Sequence, residues 1–319
     1  MTVALVTGAT GQDGSYLVER LLAEGATVHA LVRPGAADGT PLPGHPAAHA
    51  HVADLADRPA LRALLRDVAP DEVYHLAGVS SVAESWREPE RTAEVTGLAV
   101  AALLDEAAAV QERTGRAVRF VQASSAEIFG EPDRVPQDEG TAVRPLNPYG
   151  AAKAFAHHLV GVYRARGLHA VSAVLFNHES PRRPPSFVTR KITQGAARVA
   201  RDGGVITLGN LEARRDWGWA PDYVDALVRA ARHRTALDVV VATGETHSVR
   251  DFAVAALTRA GVADPGRHIA TDPALVRPAD AAQLVGDATR ARTELGWRPT
   301  RTFAEVVAAM VDHDLDLLR

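Results

Sequence analysis

The chain has 319 residues, 46% of them hydrophobic and 23% charged, with a formal net charge of −4. That length supports a large core in one domain or in two interlocked ones, and nothing in the mildly acidic balance suggests nucleic acid or an anionic membrane as a partner. There is no cysteine, which excludes disulfides and thiolate metal sites, so no metal is expected; no apolar run is long enough to span a bilayer.

The first strand begins almost at once, with no signal peptide ahead of it, and a cytoplasmic location is the expectation. Val3 to Val6 reads as a buried parallel strand. Gly8, Gly11 and Gly14 follow, then a helical pattern from Ser15 to Leu22. Strand, glycine turn and helix make a dinucleotide-binding opening. Gly8 permits the tight turn, Gly11 lets backbone N–H groups approach a pyrophosphate, and Gly14 lets the helix sit close to the strand. Thr27 to Val32 is a second strand that ends at Arg33. An acidic residue there favours a free ribose 2′-hydroxyl, whereas an arginine accommodates a 2′-phosphate, so NADP is expected over NAD. Residues 34–50 read as a loop. His51 to Ala53 is a short third strand closed by Asp54 and Leu55, with Asp54 either accepting from an adenine amino group or capping a turn.

A helix over 57–68 starts near the Asp57 cap. Val73 to Ala77 is the fourth strand, a long helix covers 89–112, and Val118 to Ala123 is the fifth strand. Tyr149 begins a helix that runs to about Arg166, and Ala170 to Leu175 is the sixth strand. This alternation predicts an α/β fold: a Rossmann-type, doubly wound parallel sheet. After Asn177 the pattern changes. Residues 178–186 read as an irregular arm, followed by helices at 187–201, 220–232, 248–260, 287–295 and 303–317, with strands at 205–208 and 238–242. The expected division is a cofactor domain over 1–176 and a smaller C-terminal α/β substrate domain over 177–319. Elements around 215–243 are expected to return to the first sheet.

Lys plus Arg total 35, yet only Lys153 and Lys191 are lysines. A retained lysine suits a site that needs a compact ammonium with a movable pKa. Tyr149 and Lys153 are spaced i, i+4 and share a helix face. An ammonium near the phenol, and a positive nicotinamide ring, would favour the phenolate. Tyr149 would then take a hydroxyl proton as hydride leaves the same carbon. Ser125 follows strand five and is placed to hydrogen-bond the reacting oxygen. Glu127, two residues on, adds a second acid/base, able to take a proton next to a carbonyl.

With these residues in hand, the chain resembles the extended short-chain dehydrogenase/reductase superfamily and, in its nucleotide-sugar branch, the GDP-mannose 4,6-dehydratases. The resemblance covers nearly the whole length. Its narrow carriers are Gln12-Asp13-Gly14-Ser15-Tyr16-Leu17 and Asn177-His178-Glu179-Ser180-Pro181-Arg182-Arg183, with Tyr149-Gly-Ala-Ala-Lys153 between them. The resemblance implies an internal redox cycle on a GDP-sugar. Tyr149, supported by Lys153, deprotonates the C4 hydroxyl as hydride passes from C4 to NADP. Glu127 takes the C5 proton, water leaves C6 with help from Glu127 and Ser125, the hydride returns to C6, and Tyr149 returns a proton to C5. The cofactor-binding set comprises Gly8, Thr10, Gly11, Gln12, Asp13, Gly14, Arg33, Asp54, Leu55, Leu76, Ala77, Gly78, Ser80, Tyr149, Lys153, His178 and Arg183. The substrate set comprises Ser85, Ser125, Glu127, Asn177, Val188, Lys191, Gly209, Arg215 and Arg277.

There are departures from the family pattern. Ser125-Ala126 replaces a Thr-Ser pair, Pro34 replaces a second arginine, and Arg91 stands for a tyrosine near the nicotinamide pocket. The loop after Pro34 lacks the residues through which family members build a tetramer, so homodimer and homotetramer both stay open. A nucleotide-sugar 4-epimerase or 4-ketoreductase, or a dehydratase of another GDP-sugar, remains the alternative, with Glu127 as the discriminating residue.

Overall fold

The computed structural model describes residues 1–35 and 45–319. Its strands are β1 Val3–Thr7, β2 Thr27–Val32, β3 His49–Val52, β4 Glu72–His75, β5 Arg119–Ser125, β6 His169–Leu175, β7 Asn177–Glu179, β8 Ile206–Leu208, β9 Arg214–Arg215, β10 Trp217–Trp219, β11 Asp238–Val241, β12 His247–Ser248, β13 Ile269–Thr271 and β14 Gln283–Leu284. The helices are α1 Gln12–Ala23, α2 Arg58–Val68, α3 Val82–Arg87, α4 Pro89–Thr92, α5 Ala99–Thr114, α6 Pro148–Ala165, α7 Val188–Asp202, α8 Ala220–Arg232, α9 Val249–Arg259, α10 Thr289–Glu294 and α11 Phe303–Asp316.

Seven strands in the spatial order β11–β6–β5–β4–β1–β2–β3 form one parallel sheet. Its central strands are apolar runs because both faces are covered. α1 and α8 bury Leu17, Leu21, Val224 and Leu227 against one face. α2, α5 and α6 bury Leu61, Leu65, Leu103, Leu104 and Val160 against the other. This is the Rossmann-type doubly wound sheet that the alternation predicts. The strand order reverses between β1 and β4, which opens a crevice beyond the carboxyl ends of those strands. β11 comes from the second half of the chain and pairs with β6 from Asp238↔Ser172 to Val241↔Leu175.

The second half packs α7, α9 and α11 around Phe252, Trp217 and Met310. Three small sheets, β10–β7, β12–β9–β14 and β13–β8, tie it together. Among the described residues, no helix is long and apolar enough to cross a membrane.

Several boundaries differ from the sequence reading. Of the loop expected over 34–50, residues 36–44 lie outside the described residues, and His49 and Ala50 belong to β3. His49 pairs with His29 in register, and the two imidazoles stack with centroids 4.9 Å apart. The strand expected at His51 to Ala53 begins at His49, a start that its polar sequence hid. The helix expected over 89–112 is α4, one π-helical turn over Ala93–Leu98, then α5. α3, capped by the Ser81 hydroxyl, was not foreseen. The arm over 178–186 begins as strand: β7 pairs with β10, from Asn177↔Trp217 to Glu179↔Trp219. Its Asn-His-Glu sequence has no strand signature, because it is built for polar contacts.

Candidate active site

In an all-parallel sheet the carboxyl ends lie along one edge, and the residues expected to bind ligand in the first half fall there. They follow β1 (Gly8 to Gly14), β2 (Arg33), β3 (Asp54, Leu55) and β4 (Leu76 to Ser80), and they end β5 (Ser125, Glu127). A cavity of about 430 Å³ opens between this edge and α7. Its wall brings together Asp13, Leu76, Gly78, Ser80, Ser125, Glu127, Tyr149, Lys153, Asn177, His178, Arg183, Val188, Lys191, Gly209, Arg215 and Arg277. Gly8, Thr10, Gly11, Gln12, Gly14, Arg33, Asp54, Leu55 and Ala77 lie outside that wall, at the strand ends. Ser85 is also outside it: fully buried in α3, its hydroxyl donates to the Val82 carbonyl at 2.8 Å. Arg91, which stands where the family has a tyrosine, meets Asp54, with Nη2 donating to the two carboxylate oxygens at 2.7 and 2.6 Å. A guanidinium seeks a carboxylate where a tyrosine would not.

α6 starts on an Asn-Pro signal. Asn147 is the cap, its Oδ1 accepting from the Gly150 N–H at 2.8 Å, and Pro148 opens the first turn. This start aims Tyr149 and Lys153 at the end of β5. The Lys153 ammonium donates to the Ala123 carbonyl at 2.7 Å and stands 5.8 Å from the Tyr149 ring centre. Burial pushes the Tyr149 phenol up to about 12, and the Glu127 carboxylate adds to this; a hydrogen bond with Ser125 and the charge of Arg183 oppose it. Burial also lowers Lys153 to about 8. Desolvation is thus the largest influence on the phenol, and a phenolate there calls for positive charge beside it.

Glu127 sits in a single 3₁₀ turn, Ala126–Ile128, with its N–H on the Ser125 hydroxyl at 3.3 Å. The Asn147 side-chain amide donates to Glu127 Oε2 at 2.8 Å. The turn and the helix touch closely here. A Cβ on Gly150 would lie 2.5 Å from the Glu127 carbonyl oxygen.

The glycine turn is as tight as its sequence implies. Gly8 has φ +73°, and a Cβ on Gly14 would lie 2.1 Å from the Gly8 carbonyl oxygen. Two side chains bind this turn to β7. Gln12 donates to the His178 carbonyl at 3.0 Å and accepts from Ser180 Oγ at 2.9 Å. Asp13 Oδ2 lies 2.8 Å from His178 Nε2, while His178 Nδ1 lies 2.7 Å from the Phe176 carbonyl. Both ring nitrogens face acceptors, so both carry protons and the ring is a cation. Burial opposes that charge, but the Asp13 carboxylate holds the His178 pKa above its ordinary value.

Three polar residues of the site escaped the sequence reading. Asn147 was legible as a cap from Asn-Pro, but not as a partner of Glu127. Glu179 is a buried carboxyl in the cavity wall, raised by burial, and it accepts from Thr189 Oγ1 at 2.6 Å. Asp280 holds both arginines expected for a diphosphate: its Oδ1 accepts from Arg215 Nη2 at 2.6 Å and from Arg277 Nη1 at 3.2 Å. The i, i+3 spacing of Arg277 and Asp280 is the one local signal of that contact.

Comparison with known proteins agrees with this architecture. A family model described as GDP-mannose 4,6 dehydratase matches residues 5–310. GDP-mannose 4,6 dehydratase 1 of Arabidopsis thaliana is 41% identical over 99% of this chain and 91% of its own length. Among solved structures, a UDP-glucose 4-epimerase of Thermotoga maritima with UDP-glucose is 25% identical with a TM-score of 0.87, covering 99% of this chain and 100% of that one. RMD from Pseudomonas aeruginosa, complexed with NADPH, is 26% identical with a TM-score of 0.79, covering 99% and 100%. With a family model spanning nearly its whole length and a relative 41% identical over 99% of it, this chain belongs to the GDP-mannose 4,6-dehydratase family.

Proposed function

We infer that this chain converts GDP-mannose to GDP-4-keto-6-deoxy-mannose with loss of water, using NADP as its resident cofactor. The observation that carries the reading is the meeting of Tyr149, Lys153 and Ser125 with a further carboxylate, Glu127, in one cavity. Oxidation of an alcohol calls for the first three; elimination calls for a base at the neighbouring carbon. The 40%-range identity to named dehydratases points the same way.

The turn over Gly8 to Gly14 fits a dinucleotide, since no side chain has room where the turn closes and the N-terminus of α1 favours an anion. Asp13, His178 and Arg183 border the cavity at that end. Arg33, exposed at the end of β2, supports NADP rather than NAD. When bound, the nicotinamide supplies the acceptor and later the donor of one hydride. Tyr149 takes the C4 hydroxyl proton, with Ser125 on the same oxygen. Burial pushes the phenol up to about 12, so positive charge beside it, from Lys153 and the nicotinamide ring, favours release of its proton. A ketone at C4 acidifies C5–H. Glu127 removes that proton and returns it to the departing C6 hydroxyl, which leaves as water; as the hydride comes back to C6, Tyr149 gives the proton it took from the C4 oxygen to C5. Arg215, Arg277 and Lys191 supply positive charge for the diphosphate. The assembly is read as a homodimer or homotetramer.

The test is incubation with GDP-mannose and mass spectrometry of the product. Loss of one water is expected, and Glu127→Gln should slow it by about 10²–10⁴-fold. GDP-mannose left intact while another nucleotide sugar loses water would overturn the substrate assignment.

A further inference from the structure

α6 does more than carry Tyr149 and Lys153. It grips the turn Ala123 to Glu127 at both ends, through Lys153 Nζ on the Ala123 carbonyl at 2.7 Å and Asn147 Nδ2 on Glu127 Oε2 at 2.8 Å. Asn147 is buried and lies outside the cavity wall, so it meets the site only through Glu127. Its amide orientation is fixed by chemistry. The oxygen must face the Gly150 N–H, at 2.8 Å, and the nitrogen must face the carboxylate.

We propose that Asn147 is a positioning residue for the C5 proton step: it locks Glu127 Oε2 to the helix that carries Tyr149 and leaves Oε1 to meet the substrate. The proposal rests on the dehydratase reading above. A carboxylate on a short 3₁₀ turn has free χ angles unless something holds it, and a misplacement of about 1 Å costs on the order of 10²-fold in rate. The contact fixes Glu127 relative to Tyr149, so the bases for C4 and C5 keep one spacing while the sugar stays still.

The test uses Asn147→Ser and Asn147→Asp in the full chain. Both keep a cap acceptor for α6, while Ser offers Glu127 only a hydroxyl on a shorter side chain and Asp sets a like charge against it. The measurements are kcat and KM with GDP-mannose, isotope effects with substrate deuterated at C4 or at C5, and the melting temperature. Asn147→Ser should lower kcat about tenfold and Asn147→Asp further, with KM within about twofold, because a base is misplaced while substrate contacts stay. The C5 isotope effect should rise and the C4 effect fall towards unity, with melting unchanged. Wild-type kcat in Asn147→Ser overturns the proposal. So does a loss that raises the C4 effect, or one that follows a collapse in melting temperature, since either marks support of the helix alone. Failure of the wild-type chain to dehydrate GDP-mannose would sink the functional reading instead, and is seen before any variant is made.

Discussion

Lys153 holds its ammonium nearly buried in the cavity wall, and this makes a prediction about stability. Burial lowers it from the ordinary 10.5 to about 8. Below pH 8 the side chain is charged in both folded and unfolded chains, and the full desolvation cost is present. Between 8 and 10.5 the folded protein has lost a proton that the unfolded chain keeps, so stability from this group rises with pH; above 10.5 the cost is gone. Lys153→Met should therefore melt higher than the parent at pH 7, by about 1–3 kcal/mol, with the gain fading by pH 10.5 in a melting series. The Ala123 carbonyl would keep a donor, because Gln122 Nε2 also reaches it at 2.8 Å. A variant that melts lower at pH 7 would show that the ammonium stabilises its site. Tyr149, Lys153 and the three glycines were legible because their chemistry depends on spacing within a few residues. Glu179 and Asp280 were not, because burial and distant partners give them their character.

At the scale of elements, the join between the β5 turn and α6 depends on a missing side chain. Glycine inside a helix is ordinarily worse than alanine by about 1 kcal/mol. At position 150 the steric term opposes this, with the Cβ of an alanine 2.5 Å from backbone and 3.0 Å from the Pro145 ring. Overpacking against backbone costs about 1–3 kcal/mol, so Gly150→Ala should lower the melting temperature and also kcat, as Tyr149 is pushed away from Ser125. A gain in stability with full activity would refute the contact. The apolar strands of the central sheet and the longer amphipathic helices announced themselves by periodicity. The start of β3, β7 and the two-residue strands β9 and β12 did not. They are polar or too short to show a period, and pairing with distant segments makes them strands.

The whole molecule leaves one face of its helical layer bare. On α6, Ala151, Phe155, His158 and Val162 are exposed at successive helical repeats, and Leu98, just before α5, is exposed as well. Phe155 is 46% exposed and Val162 54%, more than isolated surface apolar residues require. This face supports the self-association proposed above. Phe155→Glu with Val162→Glu should turn an oligomer into monomers in sedimentation velocity, and an unchanged sedimentation coefficient would place the contact elsewhere. The sheet carries a different consequence, which concerns how the chain is made. β6 is complete at Leu175, but the strand that covers its open edge ends at Val241. Ala4 of β1 shares one core with Val240 of β11 and with Leu284 and Trp297 beyond it. While a ribosome synthesises those later residues, the nascent chain presents a buried-type apolar strand with a free row of N–H and C=O groups, a template for pairing with other chains. A chain cut between residues 175 and 241 is therefore expected to aggregate, and a soluble, folded fragment ending there would refute the argument.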